Sequence, residues 1–182
     1  IIFPDPGYPV FHRGALFAGG NPIPIPLHGD YVFRPWLLEE SVLQQCRLLW
    51  INSPHNPSGA VMSYDDIQQT VDVCRRYDIV LVSDECYADL YTETPPNSVL
   101  EFGLKNVLAL HSLSKRSGMT GYRAGFVAGD PELIERFRTY RANPGVVPQD
   151  FVNAAATAAW SDDAHVAERR KIFAEKKRIM IP

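Results

Sequence analysis

The 182-residue sequence predicts an α/β protein in which a mostly parallel sheet is covered by helices. Short apolar runs alternate along the chain with longer amphipathic segments, and this alternation is typical of repeated strand–helix units. With 46% hydrophobic residues and no internal repeat or low-complexity tract, the chain is long enough for one domain with a substantial core. We therefore expect a single sheet whose strands are joined by helices.

The predicted strands are short apolar runs bounded by turn residues, and they suit buried positions in a sheet. The chain opens on an additional strand-like segment, Ile1-Ile2-Phe3. Runs such as Val107–Leu110 are far too short to cross a bilayer, so no membrane span is expected. The five strand candidates are Pro22–Leu27, Arg47–Ile51, Ile79–Ser83, Val107–His111 and Ala124–Ala128.

The predicted helices follow from capping residues and from apolar stripes at helical spacing. Ser63 is a good N-cap, and the acidic first turn it opens leads into a stripe of Ile67, Val71 and Cys74. Asp130 followed by Pro131 is a second good helix start. The helix candidates are Tyr8–Ala18, Ser63–Tyr77, Asp130–Tyr140, Phe151–Trp160 and His165–Met180.

The last two helices differ in character. Phe151–Trp160 is rich in alanine, so we expect it to be buried, whereas the highly charged His165–Met180 should be partly exposed. The chain starts in a strand-like segment and stops in a helical pattern at Ile181-Pro182. We expect from this that it is a piece of a longer polypeptide.

Charge and cysteine content narrow the possible partners. A net charge of −3 offers no basic patch for nucleic acid or for an anionic membrane. The three cysteines, Cys46, Cys74 and Cys86, are scattered without metal-ligand spacing, so we expect no metal and reduced thiols in a cytoplasmic protein. Cys86 lies near the candidate site described below, where an inert thiol is the expectation.

The first segment whose side chains could bind a ligand or take part in a reaction is Asn52–Gly59, which directly follows a predicted strand. Ligands of open α/β sheets bind at the carboxyl ends of the strands, where this loop would lie. Its prolines and glycine stiffen the loop and could hold the Asn56 amide in one pose. The alternative is a rigid turn without a binding role, since Asn-Pro turns are common.

The second segment, Ser83–Tyr87, leaves the end of another buried strand. A carboxylate such as Asp84 is costly in that place unless a cationic group meets it. A protonated pyridine nitrogen would be such a partner. The alternative is that Asp84 is a helix N-cap, a role that aspartate also fills well.

The third and fourth segments are His111–Lys115 and Gly118–Gly125. Lys115 directly follows a strand and could act as a nucleophilic amine, although most lysines are simply exposed. Arg123 follows eight residues later, among glycines that permit close backbone approach. Ser112, Ser114 and Arg123 could together bind one phosphate group, because arginine bonds phosphate with two parallel donors.

In order and spacing, the four segments closely resemble the class I/II aminotransferases of the fold-type-I pyridoxal-phosphate (PLP) enzymes. The resemblance covers essentially the whole chain and is most specific over Ser112–Gly125. It implies the large domain of that fold, in which a mostly parallel sheet is sandwiched by helices. It also implies that residues 1–161 are the central portion of this domain, and that 162–182 is a helix leading to a small C-terminal domain.

The resemblance implies a role for each matching residue. Lys115 corresponds to the lysine that holds PLP as a Schiff base, and Asp84 to the carboxylate that pairs with the pyridinium nitrogen. Asn56 and Tyr87 correspond to the donors to the phenolic oxygen, with Asn56 also contacting the substrate. The other implied cofactor ligands are Tyr8, which stacks on the ring or is a core aromatic, and Ser112, Ser114 and Arg123, which bind the phosphate.

Within the family, the sequence is most similar to the N-succinyldiaminopimelate aminotransferases of lysine biosynthesis. The stretches that carry this similarity are Ser83–Tyr87, Ser112–Ser117, Phe126–Asp130 and Trp160–Val166. The family's upstream phosphate loop, its tyrosine donated across the dimer and its downstream substrate-binding arginine have no counterpart in this sequence, which puts independent turnover by this chain in doubt.

The resemblance implies transamination between an amino acid and a keto acid, with 2-oxoglutarate as the expected acceptor, in a homodimer. Two other functions use the same cofactor residues. One is a PLP-dependent C–S lyase, and the other is a non-catalytic PLP-binding regulatory domain. The charge balance and the lack of a DNA-binding segment in this sequence weigh against the regulatory domain.

Overall fold

The computed structural model describes residues 1–142 and 147–181, and within them it forms one six-stranded sheet. The strand order across the sheet is β2-β1-β3-β4-β5-β6. All neighbours are parallel except β5 and β6, which are antiparallel. The strands are β1 (Ile2–Asp5), β2 (Ile23–Pro26), β3 (Leu48–Asn52), β4 (Val80–Asp84), β5 (Val107–Ser112) and β6 (Gly125–Gly129). The predicted α/β fold with a mostly parallel sheet is confirmed.

Helices connect the strands and continue beyond the sheet. The α-helices are α1 (Val10–Phe17), α2 (Glu40–Gln45), α3 (Tyr64–Arg76), α4 (Leu113–Arg116), α5 (Pro131–Ala142), α6 (Asp150–Trp160) and α7 (Ala164–Met180). Within the described ranges, short 3-10 helices cover Pro35–Leu37, Val99–Phe102 and Thr120–Tyr122.

The core lies along the three central strands. Leu49 pairs with Leu81 across β3 and β4, Leu81 pairs with Val107 across β4 and β5, and all three are 0–1% exposed. Branched apolar side chains suit such strands, because helices cover both faces of a parallel sheet. This packing fixes the register of the strands and hence the positions of the loops that follow them.

Helix α3 begins as predicted. The Ser63 hydroxyl accepts a hydrogen bond from the Asp66 backbone N–H (3.1 Å), and the Asp66 carboxylate accepts one from the Ser63 N–H (2.9 Å). This reciprocal capping box satisfies two N–H groups that the helix itself leaves unpaired. The stripe of Ile67, Val71 and Cys74 is buried against the sheet.

The expectation that the alanine-rich helix is buried is wrong. In α6 the structure buries no side chain, and Phe151 is 66% exposed. Its alanines are apolar, but apolar composition alone does not supply a neighbouring element to pack against. Helix α7 buries only Val166, in agreement with the partly exposed helix predicted there, and Pro182 lies outside the described residues.

Several boundaries also differ from the sequence prediction. The first helix starts at Val10 instead of Tyr8, with Pro9 as its N-cap residue. Two short helices, α2 and α4, were not predicted. Cys46, Cys74 and Cys86 are free, the first two are buried, and no helix in the described parts of the chain is long and apolar enough to cross a membrane.

Candidate active site

Three strands end in polar residues at the same edge of the sheet. Asn52, Asp84 and Ser112 are the last residues of β3, β4 and β5, and Asn52 pairs with Asp84 in the register of the two strands. Because these strands are parallel, their carboxyl ends meet at one edge, where ligands of α/β sheets bind. The fold thus brings the first three chemical segments of the sequence together.

A cavity of about 330 Å³ lies at this edge and contains every site residue that the sequence predicted. A volume of roughly 300–1,000 Å³ is typical of small-molecule sites. The lining residues are Tyr8, Asn52, Asn56, Asp84, Cys86, Tyr87, Ser112, Ser114, Lys115, Thr120 and Arg123. Eight of these eleven were predicted, and their individual roles toward a cofactor remain predictions.

The loop after β3 is held by the side chain of Asn52. Its amide donates to the Asp84 carbonyl oxygen (2.8 Å), and its carbonyl oxygen accepts from the Asn56 backbone N–H (2.7 Å). Asn52 is only 5% exposed, so these bonds are shielded from water. The loop is therefore the rigid turn of the alternative interpretation, and it also presents Asn56 to the cavity.

His55 belongs to the same loop, and its side chain is buried. One ring nitrogen lies 2.7 Å from the Ser58 hydroxyl, and burial lowers the pKa of His55 because it disfavours the charged ring.

Asp84 stands where β4 ends, and its Oδ1 atom accepts a hydrogen bond from the Cys86 backbone N–H (3.1 Å). Residues 86–89 form a turn, and no described helix starts at Asp84. The helix N-cap interpretation is therefore wrong. Burial and then the Asp84 carboxylate raise the pKa of the Cys86 thiol, which keeps it protonated and makes it a poor nucleophile.

Lys115 lies on α4, the four-residue helix that directly follows β5. The Ser112 hydroxyl accepts from the Ser114 backbone N–H (3.1 Å) and caps this helix. Lys115 is exposed, as the alternative interpretation held, but it lines the cavity and its Nζ lies 5.6 Å from the centre of the Tyr87 ring. An amine on α4 and a phenol in the turn after β4 thus share one wall of the cavity.

Arg123 has a left-handed backbone conformation, with φ of 52°, at the end of the 3-10 helix Thr120–Tyr122. Its Nη1 donates to the Thr120 carbonyl (3.0 Å), and the Thr120 hydroxyl donates to the Ser114 carbonyl (3.3 Å). A non-glycine residue adopts such a backbone only where its surroundings enforce it. A chain of bonds therefore links the guanidinium to the Lys115 helix.

Glycine is required two residues after Arg123, where the first residue of β6 pairs with the last residue of β5. A Cβ atom on Gly125 would lie 2.4 Å from the His111 carbonyl oxygen. This close approach brings the Arg123 turn against the end of β5, which carries Ser112.

Tyr8 lies at the far side of the cavity, just before α1. It is 45% exposed, and its ring meets Phe11 edge-on with centroids 6.0 Å apart. The interpretation of Tyr8 as a core aromatic is therefore wrong, while Phe11 itself is buried.

Sequence reasoning missed Asn52, Thr120 and the lining position of Cys86. Asn52 carries the one usable signal, because it is the first polar residue after an apolar run. Its bond to Asn56 is local, but its bond to Asp84 depends on strand pairing across 32 residues and cannot be read from local sequence. Thr120 lies within a glycine-rich stretch that indicated close backbone approach but no particular side chain.

The chemistry of the lining matches the functional groups of PLP. A carboxylate (Asp84) suits a pyridinium nitrogen, an amine (Lys115) suits an aldehyde, and a phenol with an amide (Tyr87 and Asn56) suits a phenolate oxygen. Two serine hydroxyls and the guanidinium of Arg123 suit a phosphate. The residues present therefore fit this cofactor. The described residues contain no cluster of three or more histidine, cysteine or acidic side chains able to hold a metal ion.

Comparison with known proteins gives a consistent result. The family described as aminotransferase class I and II matches residues 1–181. An LL-diaminopimelate aminotransferase of Aquifex aeolicus is 34% identical over 186 residues, covering 99% of this chain and 48% of that protein. The crystal structure of the aminotransferase AspB from Helicobacter pylori superposes with a TM-score of 0.92 at 36% identity, covering 97% of this chain and 49% of that one.

The N-succinyldiaminopimelate resemblance receives weaker support. A probable N-succinyldiaminopimelate aminotransferase of Thermus thermophilus is similar at a TM-score of 0.89 but only 25% identical, over 96% of this chain and 48% of that one. Several curated relatives at 32–35% identity carry the name LL-diaminopimelate aminotransferase instead. The chain spans about half the length of the curated relatives it matches, and it belongs to the class I and II aminotransferase family.

Proposed function

We propose that the full-length protein is a PLP-dependent aminotransferase, and that this chain supplies most of its cofactor site. The observation that carries the proposal is the convergence of Lys115, Asp84, Asn56, Tyr87 and Arg123 on one cavity of about 330 Å³. Some of these residues have an ordinary structural explanation when taken alone, since a rigid turn accounts for the Asn56 loop and Lys115 is exposed like most lysines. Their meeting at the carboxyl ends of three parallel strands is what favours a shared ligand.

In this proposal, Tyr8 and the loops after β3 and β4 would hold the ring of PLP, since their residues line the cavity. Asp84 pairs with the pyridinium nitrogen and keeps it protonated, because a half-buried carboxylate favours a cationic partner. Asn56 and Tyr87 donate hydrogen bonds to the phenolic oxygen. The rigidity that Asn52 gives to the Asn56 loop supports this role, since a fixed donor needs little reorganisation during the reaction.

The start of α4 and the Arg123 turn would hold the phosphate group of the cofactor. Ser112, Ser114 and Arg123 line this end of the cavity, and hydroxyls with a guanidinium are a strong phosphate-binding combination. The link from Arg123 through Thr120 to the Ser114 carbonyl holds the phosphate ligands in one unit. That unit also contains Lys115, so the phosphate end and the amine keep a fixed separation.

Lys115 then acts on the substrate. Bound PLP supplies an electron sink that stabilises negative charge at the substrate Cα. The Lys115 amine is the base that takes the Cα proton, and Asn56 also contacts the substrate carboxylate. The neighbouring Tyr87 ring, 5.6 Å from Nζ, limits the directions that the amine can take.

We further propose LL-diaminopimelate as the amino donor and 2-oxoglutarate as the acceptor. The names of several relatives at 32–35% identity support this donor. N-succinyl-LL-diaminopimelate is the second candidate, supported by the motif resemblance and by one structural relative at 25% identity. Loops outside the shared fold choose among such substrates, so both donors belong in one test.

A donor screen on the full-length protein tests this function. Each donor is incubated with PLP and 2-oxoglutarate, and glutamate is measured. We expect glutamate with LL-diaminopimelate and none from a Lys115→Ala variant. Keto acid release without 2-oxoglutarate would indicate a C–S lyase, and PLP binding without turnover of any donor would indicate a regulatory domain.

We also propose that the protein is a homodimer and that residues 1–161 belong to its PLP-binding domain, with 162–182 leading toward a smaller one. The support is the family membership of the chain. Analytical ultracentrifugation of the full-length protein checks the first point. A monomer with full aminotransferase activity would contradict it.

A further inference from the structure

We propose that Arg116 is a positioning residue that fixes the Lys115 amine over Tyr87, by binding the turn after β4 and the α6–α7 connection at the same time. The inference rests on the proposed role of Lys115 as the residue that captures PLP. It concerns a side chain that lies outside the cavity and that the reaction itself does not use.

Helix α4 is too short to be stable on its own. It has four residues, and an isolated helix of that length has no stability of its own. Lys115 therefore depends on contacts that its neighbours make. Arg116, the next residue, points away from the cavity and is only 5% exposed.

The buried guanidinium of Arg116 reaches two separate segments. Nε lies 3.3 Å from the Asp89 carboxylate, in the turn after β4. On the other side, Nη1 donates to the Ala159 carbonyl (2.7 Å) and Nη2 contacts the Asp163 carboxylate (2.5 Å), where α6 gives way to α7. The guanidinium also lies over the Trp160 ring, 4.9 Å from its centre.

Asp89 is the informative partner, because it lies two residues after Tyr87. The same turn is closed by hydrogen bonds from Ala88 N–H to the Glu85 carbonyl (3.0 Å) and from Leu90 N–H to the Tyr87 carbonyl (3.0 Å). The Arg116–Asp89 pair therefore ties the turn that presents Tyr87 to the helix that presents Lys115. These are the two elements whose side chains share a cavity wall.

Helix α7 secures the other end of α4. Arg169 donates to the carbonyl oxygens of Arg116 (3.2 Å) and Lys115 (3.4 Å). These are C-terminal carbonyls that the short helix leaves unpaired. A Cβ on Gly118 would lie 2.8 Å from the Arg169 guanidinium, so glycine at this left-handed position leaves room for the arginine.

The competing explanation is that Arg116 only stabilises the fold. A buried arginine with two acidic partners would lower stability when removed, whatever it does for Lys115. The two explanations differ in what happens in the folded protein. Positioning predicts a changed rate of PLP capture and a changed environment of the captured amine, whereas a purely structural role changes only resistance to unfolding.

The test uses the full-length apoprotein and PLP. An Arg116→Met variant keeps an unbranched chain but loses the donors, and we expect its folded fraction to capture PLP about tenfold more slowly, measured by the visible absorbance of the adduct. We also expect the pH midpoint of that absorbance to shift. Arg116→Lys, which can satisfy only one acid at a time, should restore part of the capture rate.

The matched control is Arg178→Met, which removes an exposed arginine that pairs with Glu175 on the same helix as Arg169. It should leave both the capture rate and the pH midpoint unchanged. Asp89→Asn provides a second variant that keeps its size and removes the charge that pairs with Arg116 (3.3 Å), together with the longer contact to Arg170 (4.0 Å). We expect it to change both quantities in the same direction as Arg116→Met and by less.

An Arg116→Met protein that unfolds more easily but captures PLP at the normal rate, with an unchanged pH midpoint, would overturn the proposal. If that variant does not fold, Asp89→Asn decides, and normal values for it would overturn the proposal as well. Failure of the underlying function is distinguishable, because a Lys115→Ala protein would then still form the covalent adduct.

Discussion

The central strands and the C-terminal helices of this molecule are built on different principles. Along β3, β4 and β5, residues such as Leu49, Leu81 and Val107 are completely or almost completely buried. In contrast, α5 and α6 bury no side chain in the described structure, and α7 buries only Val166. The sheet is held by packing. The last two helices instead contact the rest of the molecule through a few polar contacts and through Trp160, whose ring lies 4.8 Å from that of Phe126 on β6.

The contrast shows that two kinds of interaction place the residues of the site. Packing fixes the strand ends, so Asn52, Asp84 and Ser112 are placed by the rigid part of the molecule. The polar contacts from the helices converge on α4, where Arg116 and Arg169 hold the segment that carries Lys115. The following substitutions probe the contrast, from the largest expected effect to the smallest.

Leu81→Ala removes a fully buried side chain from the middle of β4. We expect it to lower the free energy of unfolding by about 2–5 kcal/mol, because it loses apolar burial and leaves a cavity. Chemical denaturation of the full-length protein measures the change. Leu37→Ala is the control, since this leucine is 72% exposed and should cost less than about 0.5 kcal/mol.

Asp84→Ala changes the site without disturbing the packing of β4. We expect the rate of transamination to fall by about a hundredfold or more, because the cofactor ring loses its counter-charge. Affinity for PLP should fall much less, since the phosphate ligands remain. The check is steady-state kinetics beside PLP titration, with the exposed Asp72→Ala as control, and equal losses of rate and affinity would argue against the assigned role.

Asp130→Ala acts at the junction between the sheet and the helices. The carboxylate accepts from the Asn106 N–H (2.8 Å) ahead of β5 and from the Glu132 N–H (2.9 Å) at the start of α5. Removing it should cost about 1 kcal/mol of unfolding free energy, as for other N-caps. Asp130→Asn, which keeps one acceptor oxygen, should lose less, and equal losses would mean that the bonds matter less than the charge.

The same carboxylate gives a prediction for pH. The hydrogen bond from Asn106 is the main reason that the pKa of Asp130 is lowered in the folded protein. The unfolded chain therefore binds the proton first, so the contribution of Asp130 is present above about pH 4 and is lost as the pH falls further. Unfolding curves of the native protein and Asp130→Asn should converge in that range.

Ala158→Lys tests the exposed character of α6 directly. The structure leaves this residue exposed, so a lysine should change the free energy of unfolding by no more than about 0.5 kcal/mol. A buried helix, as composition alone predicts, could not accept the charge. A large loss in the full-length protein would mean that another segment or a second subunit covers this face.

Prediction from the sequence succeeded where the deciding interactions are local. Helix α3 was predicted from its cap and its apolar stripe, and both signals lie within a dozen residues. The buried strands were predicted from their composition, because a short run of branched apolar residues is typical of a strand that is buried on both faces. Helix α6 was predicted as a helix, but its burial was predicted wrongly, since burial depends on a packing partner that composition does not reveal.

The site shows the same division. Lys115, Asp84 and Arg123 follow strands in a recognisable order, so the family resemblance predicts from the sequence alone that they belong to the site. Arg116 is adjacent to Lys115, but its contacts could not be predicted from the sequence, because its partner Asp163 is 47 residues away. Residues that line a site are easier to predict than residues that hold it in place.

The central claim is that Lys115 is the residue that captures PLP, and peptide mass spectrometry after borohydride reduction tests it most directly. The full-length protein is incubated with PLP, reduced, digested and mapped. We predict a stable cofactor adduct on Lys115, its loss in Lys115→Ala, and residual reversible PLP binding by that variant. An adduct on Lys105, Lys171 or any lysine other than Lys115 would contradict the account.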